Sequence, residues 1–329
     1  RQMVKLGVDW LGVDSIVEAV ALRRDGIKKN ILVLGYTQPI NFLLARKNNI
    51  VVTISSLDSL IAFLKLARPP QFHLKLDTGM HRQGFTLSDF AAAIFLLTKP
   101  AYIKKVKANL LGAYSHLAAA SSPGLASSVA EQVKEFERFL AKLDQAGISR
   151  TTLIKHLAAT GGAIGYPETH YDLVRVGLGL CGLWPSAEWR ARFENKIKLA
   201  PVLSWKTIIS EVKTLPDGGA VGYDFTERVS PGAKIAVCPI GYWHGFPRAL
   251  SGLGEVVVRG QRAKVIGRVS MDMIVIDVTR IQGVRAGDVV TLIGKKMPAE
   301  RLAELAHTSP YEIITRLNPL IQKFYLTPA

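Results

Sequence analysis

The stretch YDLVRVGLGLCGLWPS, residues 171–186, alternates apolar positions with arginine, glycine and cysteine positions. An alternation with a period of two predicts a β-strand. Arg175 lies inside this apolar pattern, and a buried arginine needs a partner because an unpaired buried charge is costly. Gly177, Gly179 and Gly182 carry no Cβ, so the backbone there can come close to another group. The pattern therefore predicts a barrel strand whose end meets an anionic or nitrogen-containing ligand.

The same three glycines also match G-x-G-x-x-G, the fingerprint of dinucleotide-binding proteins. That motif requires a helix directly after the glycines and an acidic residue about 20 positions further on. Trp184 and Pro185 follow instead, and they interrupt a helix rather than start one. This disfavours a nucleotide site, whereas plain strand glycines remain an open interpretation.

Short apolar runs alternate with amphipathic segments in the part of the chain before residue 171. This alternation predicts a parallel sheet covered by helices. Strands are predicted at 9–14, 31–36, 51–55, 72–79, 108–118 and 151–159. Helices are predicted to start at a capping box formed by Ser15 and Glu18, at residue 38, at a cap formed by Asp58, at Ser88, and at a cap formed by Ser128 and Glu131. With residues 171–186 the strands number seven, so we expect an α/β fold of the (β/α)₈ TIM-barrel type that lacks its first unit.

The pattern changes after about residue 198, where short strands separated by glycine- and aspartate-rich turns such as 216–219 predominate. Such a pattern is typical of an antiparallel β domain. One helix is predicted near 298–307. We therefore predict two domains, an N-terminally incomplete barrel at 1–198 and a C-terminal antiparallel β domain at 199–329.

Composition narrows the classes of function. A hydrophobic content of 48% in 329 residues suffices for a sizeable core, and no run reaches 18 apolar residues. The net charge is +16, but the basic residues are scattered and no zinc-finger or RNP-type motif accompanies them, which disfavours nucleic-acid binding. A basic surface would attract anionic small molecules. Cys181 and Cys238 lie in apolar surroundings, which predicts buried free thiols and a cytoplasmic location.

Cationic and hydroxyl side chains gather at the carboxyl ends of the predicted strands, where barrel enzymes carry their chemistry. Each histidine alone is better explained by core packing, but the concentration at strand ends points to a site. Such groups suit a phosphate and a carboxylate, and the sequence has no metal-binding motif. The candidates are Lys75, Arg82, His116, His156, Thr160 and Arg175, together with Asp77-Thr78-Gly79.

Six segments, in order along nearly the whole chain, resemble the successive motifs of bacterial alanine racemases. They are HLKLDTGMHRQGF (73–85), GAYSHLA (112–118), DLVRVGLGLCGL (172–183), VGYDFTE (221–227), PIGYWHGFPR (239–248) and GRVSMDM (267–273). The resemblance implies a fold-type III pyridoxal 5′-phosphate enzyme that interconverts L- and D-alanine and supplies D-alanine for peptidoglycan. It also implies a head-to-tail homodimer whose active sites are shared between the subunits.

The resemblance assigns the cofactor contacts to the barrel. Arg175 would face the pyridine nitrogen, and His116 would lie between Arg175 and a catalytic tyrosine. Thr160 and the backbone at Gly177 and Leu178 would hold the phosphate, since N–H groups can approach the anion there.

The substrate contacts implied by the resemblance come mostly from the partner subunit. Tyr223 would remove the α-proton of L-alanine, with the phenolate favoured by His116 and Arg175. Met271 and Asp272 would place the substrate carboxylate, and Tyr242 would line the entrance. In the barrel, Arg82 would steady the cofactor's phenolic oxygen beside the substrate, and Lys75, which is carbamylated in some relatives, would orient Arg82.

Several positions depart from the family pattern. Thr160 replaces a common serine, Ala159 an asparagine and Cys181 a common tyrosine, while Pro319 falls near the place of a phosphate-binding tyrosine. Trp243-His244 replaces a small residue and an aspartate at the entrance, which leaves substrate size open.

The family's cofactor lysine, in a K-A-N-A-Y-G-H-G-like segment, would precede Arg1, and Lys5 in MVKLGVD does not match that segment. By comparison with a complete barrel we expect roughly 30–50 residues to be missing, and residues 1–329 alone to be inactive. The alternatives are a racemase for serine or another amino acid, and a non-catalytic protein that binds the same cofactor.

Overall fold

The computed structural model describes residues 1–326, which form two compact units. The first contains residues 1–180 and 184–198, and the second contains residues 181–183 and the chain from residue 199 onward. No helix within residues 1–326 has the length and apolar composition needed to cross a bilayer.

The first unit is built on short parallel strands that follow one another in chain order. Strands β1 and β2 pair, β3 to β6 form a four-stranded sheet, and a bridge between Leu32 and Val51 continues β2 toward β3. The parallel order confirms the predicted α/β architecture. The strands are β1 Trp10–Val13, β2 Asn30–Val33, β3 Val52–Ile54, β4 Phe72–Lys75, β5 Leu110–Tyr114 and β6 Ile154–His156.

Helices connect these strands and cover them. They are α1 Gln2–Lys5, α2 Ile16–Arg24, α3 Phe42–Lys47, α4 Leu57–Lys65, α5 Leu87–Thr98, α6 Pro100–Asn109, α7 Ala126–Gln145, α8 Thr160–Gly165 and α9 Ala187–Phe193. Their apolar faces bury aromatic residues against the strands, as where the rings of Phe63 and Phe72 lie 4.5 Å apart. The sequence did not predict α6, α8 or α9.

The helix starts were predicted with mixed success. The capping box of Ser15 and Glu18 is present at α2. Helix α4 is capped by Ser56 rather than Asp58, and α5 by Thr86 rather than Ser88. Helix α7 begins at Ala126 without a side-chain cap, so the cap predicted at Ser128 was wrong. At α4 and α5 a hydroxyl that precedes the predicted start accepts from the first amides instead.

The strand predicted within residues 171–186 was wrong in its extent. Only Arg175 bridges to the neighbouring segment, at Ala159, and a 3₁₀ helix follows at Leu178–Cys181. The amides of Gly177 and Gly179 donate to the Thr160 hydroxyl instead of to a strand partner. The segment therefore forms a loop despite its strand-like periodicity, because its amides bond to the Thr160 side chain and not to another strand.

The second unit is antiparallel, as predicted. A seven-stranded sheet has the order β7-β15-β12-β13-β14-β11-β8, and β9 and β10 form a separate hairpin. Two helices follow the sheet, of which the sequence predicted only the first. The elements are β7 Trp205–Ile208, β8 Glu211–Leu215, β9 Gly219–Val221, β10 Glu227–Val229, β11 Ala233–Cys238, β12 Glu255–Val258, β13 Gln261–Ile266, β14 Ile274–Asp277, β15 Val289–Ile293, α10 Ala299–Leu305 and α11 Pro310–Thr315.

Both cysteines are free thiols. Cys238 is buried at the end of β11, whereas Cys181 is only half-buried. The sequence predicted both to be buried, which is correct for Cys238 and wrong for Cys181.

Candidate active site

Arg175 lies at the centre of the first unit's polar cluster. Its backbone amide donates to the carbonyl of Ala158 over 2.9 Å, which fixes the arginine beside the segment that follows β6. Its guanidinium donates to Nδ1 of His156 over 2.7 Å and to the carbonyls of Ser115 and Leu157 over 2.7 and 2.9 Å. A longer contact of 3.4 Å reaches Nδ1 of His116.

All of these acceptors are neutral, and Arg175 forms no ion pair with a carboxylate within residues 1–326. Burial lowers its pKa to about 10, so the guanidinium stays charged at neutral pH. A half-buried cation without a carboxylate partner favours an electron-rich or anionic ligand nearby. No hydrogen bond from Nε of Arg175 is present within the described residues, which leaves that donor for such a ligand.

Two buried histidines extend this cluster. Nδ1 of His73 lies 2.9 Å from Nε2 of His156. Because arginine can only donate, Nδ1 of His156 must accept, so the proton of His156 is on Nε2 and is given to His73. The proton of His73 is then on its own Nε2, which is buried and unpaired. Burial, followed by the charge of Arg175, lowers the pKa of His73 to about 3, and the pKa of His156 is lowered in the same way.

Tyr114 packs against the same groups. Its ring stacks on His156 with centroids 4.5 Å apart, and the guanidinium carbon of Arg175 lies 5.2 Å from its centroid. Its hydroxyl lies 2.9 Å from that of Thr53 and donates to the carbonyl of Leu34 over 3.1 Å. Tyr114 and His73 were not among the residues predicted from the sequence. The sequence spacing could have indicated them, since alternate residues of a strand lie on the same face. Tyr114 is two positions before His116, and His73 is two positions before Lys75.

Lys75 is buried at the end of β4. Its Nζ donates to Oε1 of Gln83 over 2.8 Å, and Nε2 of Gln83 donates to the Ser55 hydroxyl over 3.2 Å. Burial lowers the pKa of Lys75 to about 8, with smaller contributions from Arg82 and Arg175. Arg82 is exposed and shares no hydrogen bond with Lys75 in the described part of the chain, so the expected link between the two is a charge interaction only.

Thr160 forms a small cradle with the glycines that follow Arg175. Its Oγ1 accepts from the amides of Gly177 and Gly179 over 3.2 and 3.3 Å. A Cβ at Gly179 would lie 3.1 Å from Cγ2 of Thr160, which is tighter than ordinary packing. A hydroxyl beside backbone amides of residues that carry no Cβ suits a phosphate group.

His116 completes the cluster in the first unit. It is half-buried, and burial lowers its pKa to about 4, with further contributions from Arg175, Arg82 and Lys75. Arg175 and His116 are thus in contact, and Lys75 and Arg82 lie near enough for their charges to lower the pKa of His116.

The second unit presents the remaining candidates on neighbouring loops. Tyr223 is 69% exposed and follows Gly222, whose φ of 76° favours glycine. Asp224 pairs with Arg268 over 2.9 Å, which joins the Tyr223 turn to the loop before Met271. The amide of Tyr242 donates to the carbonyl of Ser270 over 3.0 Å. These contacts bring the loops of Tyr223, Tyr242, Met271 and Asp272 together within this unit.

The departures at the predicted entrance form one turn. The amide of Trp243 donates to the carbonyl of Met271 over 3.0 Å, and Nδ1 of His244 accepts from the Gly241 amide over 3.1 Å. The Asn318 side chain, next to Pro319, donates to the Trp243 carbonyl over 3.0 Å. His244 therefore caps its own turn.

The chemistry of the first unit is that of an anion-binding site with neutral imidazoles. Within residues 1–326 no group of three or more histidine, cysteine and carboxylate side chains could hold a metal ion. The donors fit a phosphorylated aromatic cofactor, with hydroxyl and amide groups at one end and an arginine at the other.

Two family models cover most of the chain. Residues 1–185 match the model described as alanine racemase, N-terminal domain, and residues 202–325 match alanine racemase, C-terminal domain. Among curated relatives, the alanine racemase of Symbiobacterium thermophilum is 36% identical, over 98% of this chain and 84% of its own length. That of Methanococcus maripaludis is 34% identical, over 97% and 85%.

Solved structures of similar sequence share the fold. The crystal structure of alanine racemase from Bacillus anthracis with bound L-Ala-P has a TM-score of 0.85 at 30% identity, covering 96% of this chain and 80% of that one. The alanine racemase from a D-cycloserine-producing Streptomyces lavendulae has a TM-score of 0.87 at 30% identity, covering 99% and 85%.

Proposed function

The chain belongs to the alanine racemase family, and we propose that it interconverts L-alanine and D-alanine through the residues described above. The family uses pyridoxal 5′-phosphate as its cofactor. The observation that carries the proposal is Arg175, a half-buried cation held by neutral acceptors and, within residues 1–326, by no carboxylate. An arginine withdrawn from water in this way ordinarily has an acidic partner.

The cofactor contacts follow from the donors present. Arg175 would contact the ring nitrogen through its free Nε and, because it does not give up its proton, would leave that nitrogen largely unprotonated. Thr160 and the amides of Gly177 and Leu178 would hold the phosphate. When bound, the cofactor supplies a conjugated ring that delocalises the negative charge at the substrate's α-carbon.

Tyr223 would act as the base on one face of the α-carbon. A tyrosine has an ordinary pKa of about 10 and needs cationic neighbours to act near neutral pH. In the proposed homodimer Arg175 would supply that charge, and His116 would link it to the phenol of the other subunit. Met271 and Asp272 would place the substrate carboxylate, Arg82 would steady the cofactor beside it, and Tyr242 would line the entrance.

A homodimer would bring these two sets of residues into one site. The proposal is supported by Tyr223, Tyr242 and Met271, which are exposed on neighbouring loops of the second unit, since grouped exposed apolar side chains mark interaction surfaces. The two free cysteines support a reducing compartment, and so a cytoplasmic location.

The test is the exchange of the α-proton with deuterium in the full-length holoenzyme carrying Tyr223→Phe. One base serves each face, so exchange from L-alanine should fall much more than exchange from D-alanine. Wild-type protein and Tyr325→Phe, an exposed tyrosine outside the site, serve as controls. Equal losses from both enantiomers would remove Tyr223 from its assigned face, and faster turnover of serine than of alanine would favour the other substrate.

A further inference from the structure

Helix α7 carries one polar side chain on its buried face. That side chain is Gln132, which is only 5% exposed and sits among apolar neighbours on the same face. A buried amide of this kind costs stability unless it is fully hydrogen-bonded, so its partners indicate what it does.

The side-chain amide of Gln132 forms hydrogen bonds with two loops of the candidate site. Its Oε1 accepts from the amide of Ala118 over 2.8 Å. Its Nε2 donates to the carbonyl of His116 over 3.2 Å and to the Thr78 hydroxyl over 3.2 Å. The Thr78 hydroxyl in turn lies 2.8 Å from that of Ser115.

The segment 115–118 lies beyond the end of the sheet, so its backbone groups need the hydrogen bonds that Gln132 provides. Strand β5 ends at Tyr114, and the Ser115 amide reaches the carbonyl of His156 only over 3.4 Å. Beyond that point Gln132 provides the partners for the backbone of His116 and Ala118. On its other side the segment faces Arg175, which donates to the carbonyl of Ser115.

We propose that Gln132 is a positioning residue for racemisation, which fixes the segment 115–118 so that His116 and the Ser115 carbonyl stay against Arg175. The inference rests on the proposed function, because Arg175 and His116 matter to the rate only if they serve the cofactor and Tyr223. Gln132 itself touches neither substrate nor cofactor in this scheme.

The main variant is Gln132→Met, which keeps the side-chain length and removes the three hydrogen bonds. We expect kcat of the full-length holoenzyme to fall about tenfold to a hundredfold, as for other small displacements of catalytic groups, with a smaller change in KM. A looser segment would also expose His116 to water and move it away from Arg175. Its pKa, lowered by burial and then by Arg175, Arg82 and Lys75, should therefore rise toward its ordinary value.

The pKa of His116 is read by NMR of ring-labelled histidine in the cofactor-free protein, with the signal assigned through His116→Asn. Gln132→Glu is the second variant, in case the methionine variant does not fold. Its carboxylate can still accept from the Ala118 amide but sets an acceptor oxygen against the His116 carbonyl, so we expect kcat to fall at least as far as in Gln132→Met.

Two controls separate positioning from stability. Gln145→Met makes the same substitution at an exposed position of α7 and should change neither kcat nor the pKa of His116. Phe139→Leu weakens the packing of the buried face of α7 without removing a hydrogen bond. It should lower the unfolding temperature and leave kcat and the pKa of His116 unchanged.

The proposal is overturned if Gln132→Met keeps kcat and the pKa of His116, or if Phe139→Leu lowers kcat equally at an equal loss of unfolding temperature. Failure of the proposed function looks different, because wild-type protein would then not racemise alanine. In that case the His116 titration still reports whether Gln132 fixes the segment.

Discussion

Buried and half-buried imidazoles lie around Arg175, and their protonation is coupled to folding. His73 is fully buried with a pKa of about 3, whereas an unfolded histidine titrates near 6.5. Because the folded pKa is the lower one, the unfolded state binds the extra proton first as the pH falls. The stability contributed by His73 is thus complete above about pH 6.5 and is lost progressively toward pH 3.

We therefore expect the free energy of unfolding to fall by a few kcal/mol between about pH 7 and pH 4, with His116 and His156 contributing in the same direction. Urea unfolding at a series of pH values measures this slope. His73→Leu should lower stability at neutral pH but flatten the slope, whereas His307→Gln, at an exposed position, should leave it unchanged. An unaltered slope in His73→Leu would show that His73 does not stay neutral in the fold.

Lys75 offers a second residue-level prediction. A pKa of about 8 leaves much of this amine neutral under mildly alkaline conditions, and a neutral amine adds to carbon dioxide with release of a proton to give a carbamate. With carbon-13-labelled bicarbonate, NMR should show a protein carbamate that Lys75→Met abolishes. Gln83→Leu should increase it, because Nζ loses its present partner. A spectrum identical in wild type and Lys75→Met would exclude the modification at this lysine.

The strands position the site through close contact between neighbouring elements. Gly112 in β5 lies against His73 in β4, and a Cβ there would stand 2.7 Å from Cε1 of His73 and 2.5 Å from the backbone oxygen of Ile154 in β6. A methyl group at this position must push apart two strands and displace the ring that bonds to His156. Glycine is thus required here by packing, and its backbone angles need no left-handed region.

We expect Gly112→Ala to destabilise the protein by about 1–3 kcal/mol, the usual cost of overpacking a core. Gly124→Ala is the matched control, since nothing lies within 4 Å of a Cβ at that position. Denaturant unfolding of both variants measures the difference. Equal stabilities for the two alanine variants would show that the strands can separate without cost.

At the scale of the molecule, the second unit presents an apolar surface formed by Tyr223, Phe225, Met271 and Met273. The Asp224–Arg268 ion pair ties the two loops that carry these residues. An exposed apolar patch on loops that hold proposed active-site residues fits an interface with a second copy of the chain.

Met273→Glu should weaken the proposed homodimer by roughly tenfold or more in its dissociation constant, because a charge would have to be buried in the interface. Met273 is 52% exposed, and Val289, at 53%, provides a control of equal exposure on strand β15. Sedimentation velocity over a range of protein concentrations distinguishes the two variants. Dissociation by Val289→Glu with no effect of Met273→Glu would place the interface elsewhere.

The sequence by itself determined the architecture and most of the candidate residues. Apolar runs at regular intervals specify parallel strands before residue 171 and antiparallel strands after 198, because side-chain periodicity is a local property of the chain. The cationic residues at strand ends follow from the same pattern, since the carboxyl ends of parallel strands meet at one edge. Lys75, His116, Thr160 and Arg175 were found in this way.

Only the tertiary structure decided which groups bond to one another. The segment around Arg175 has the periodicity of a strand. The amides of Gly177 and Gly179 nevertheless donate to the Thr160 hydroxyl instead of to a neighbouring strand. His73, His156 and Gln132 come from two strands and a helix far apart in the chain, and nothing in the segment of each one identifies its partner. Their partners are set by packing between elements, and a pattern read along one segment carries no information about contacts across the fold.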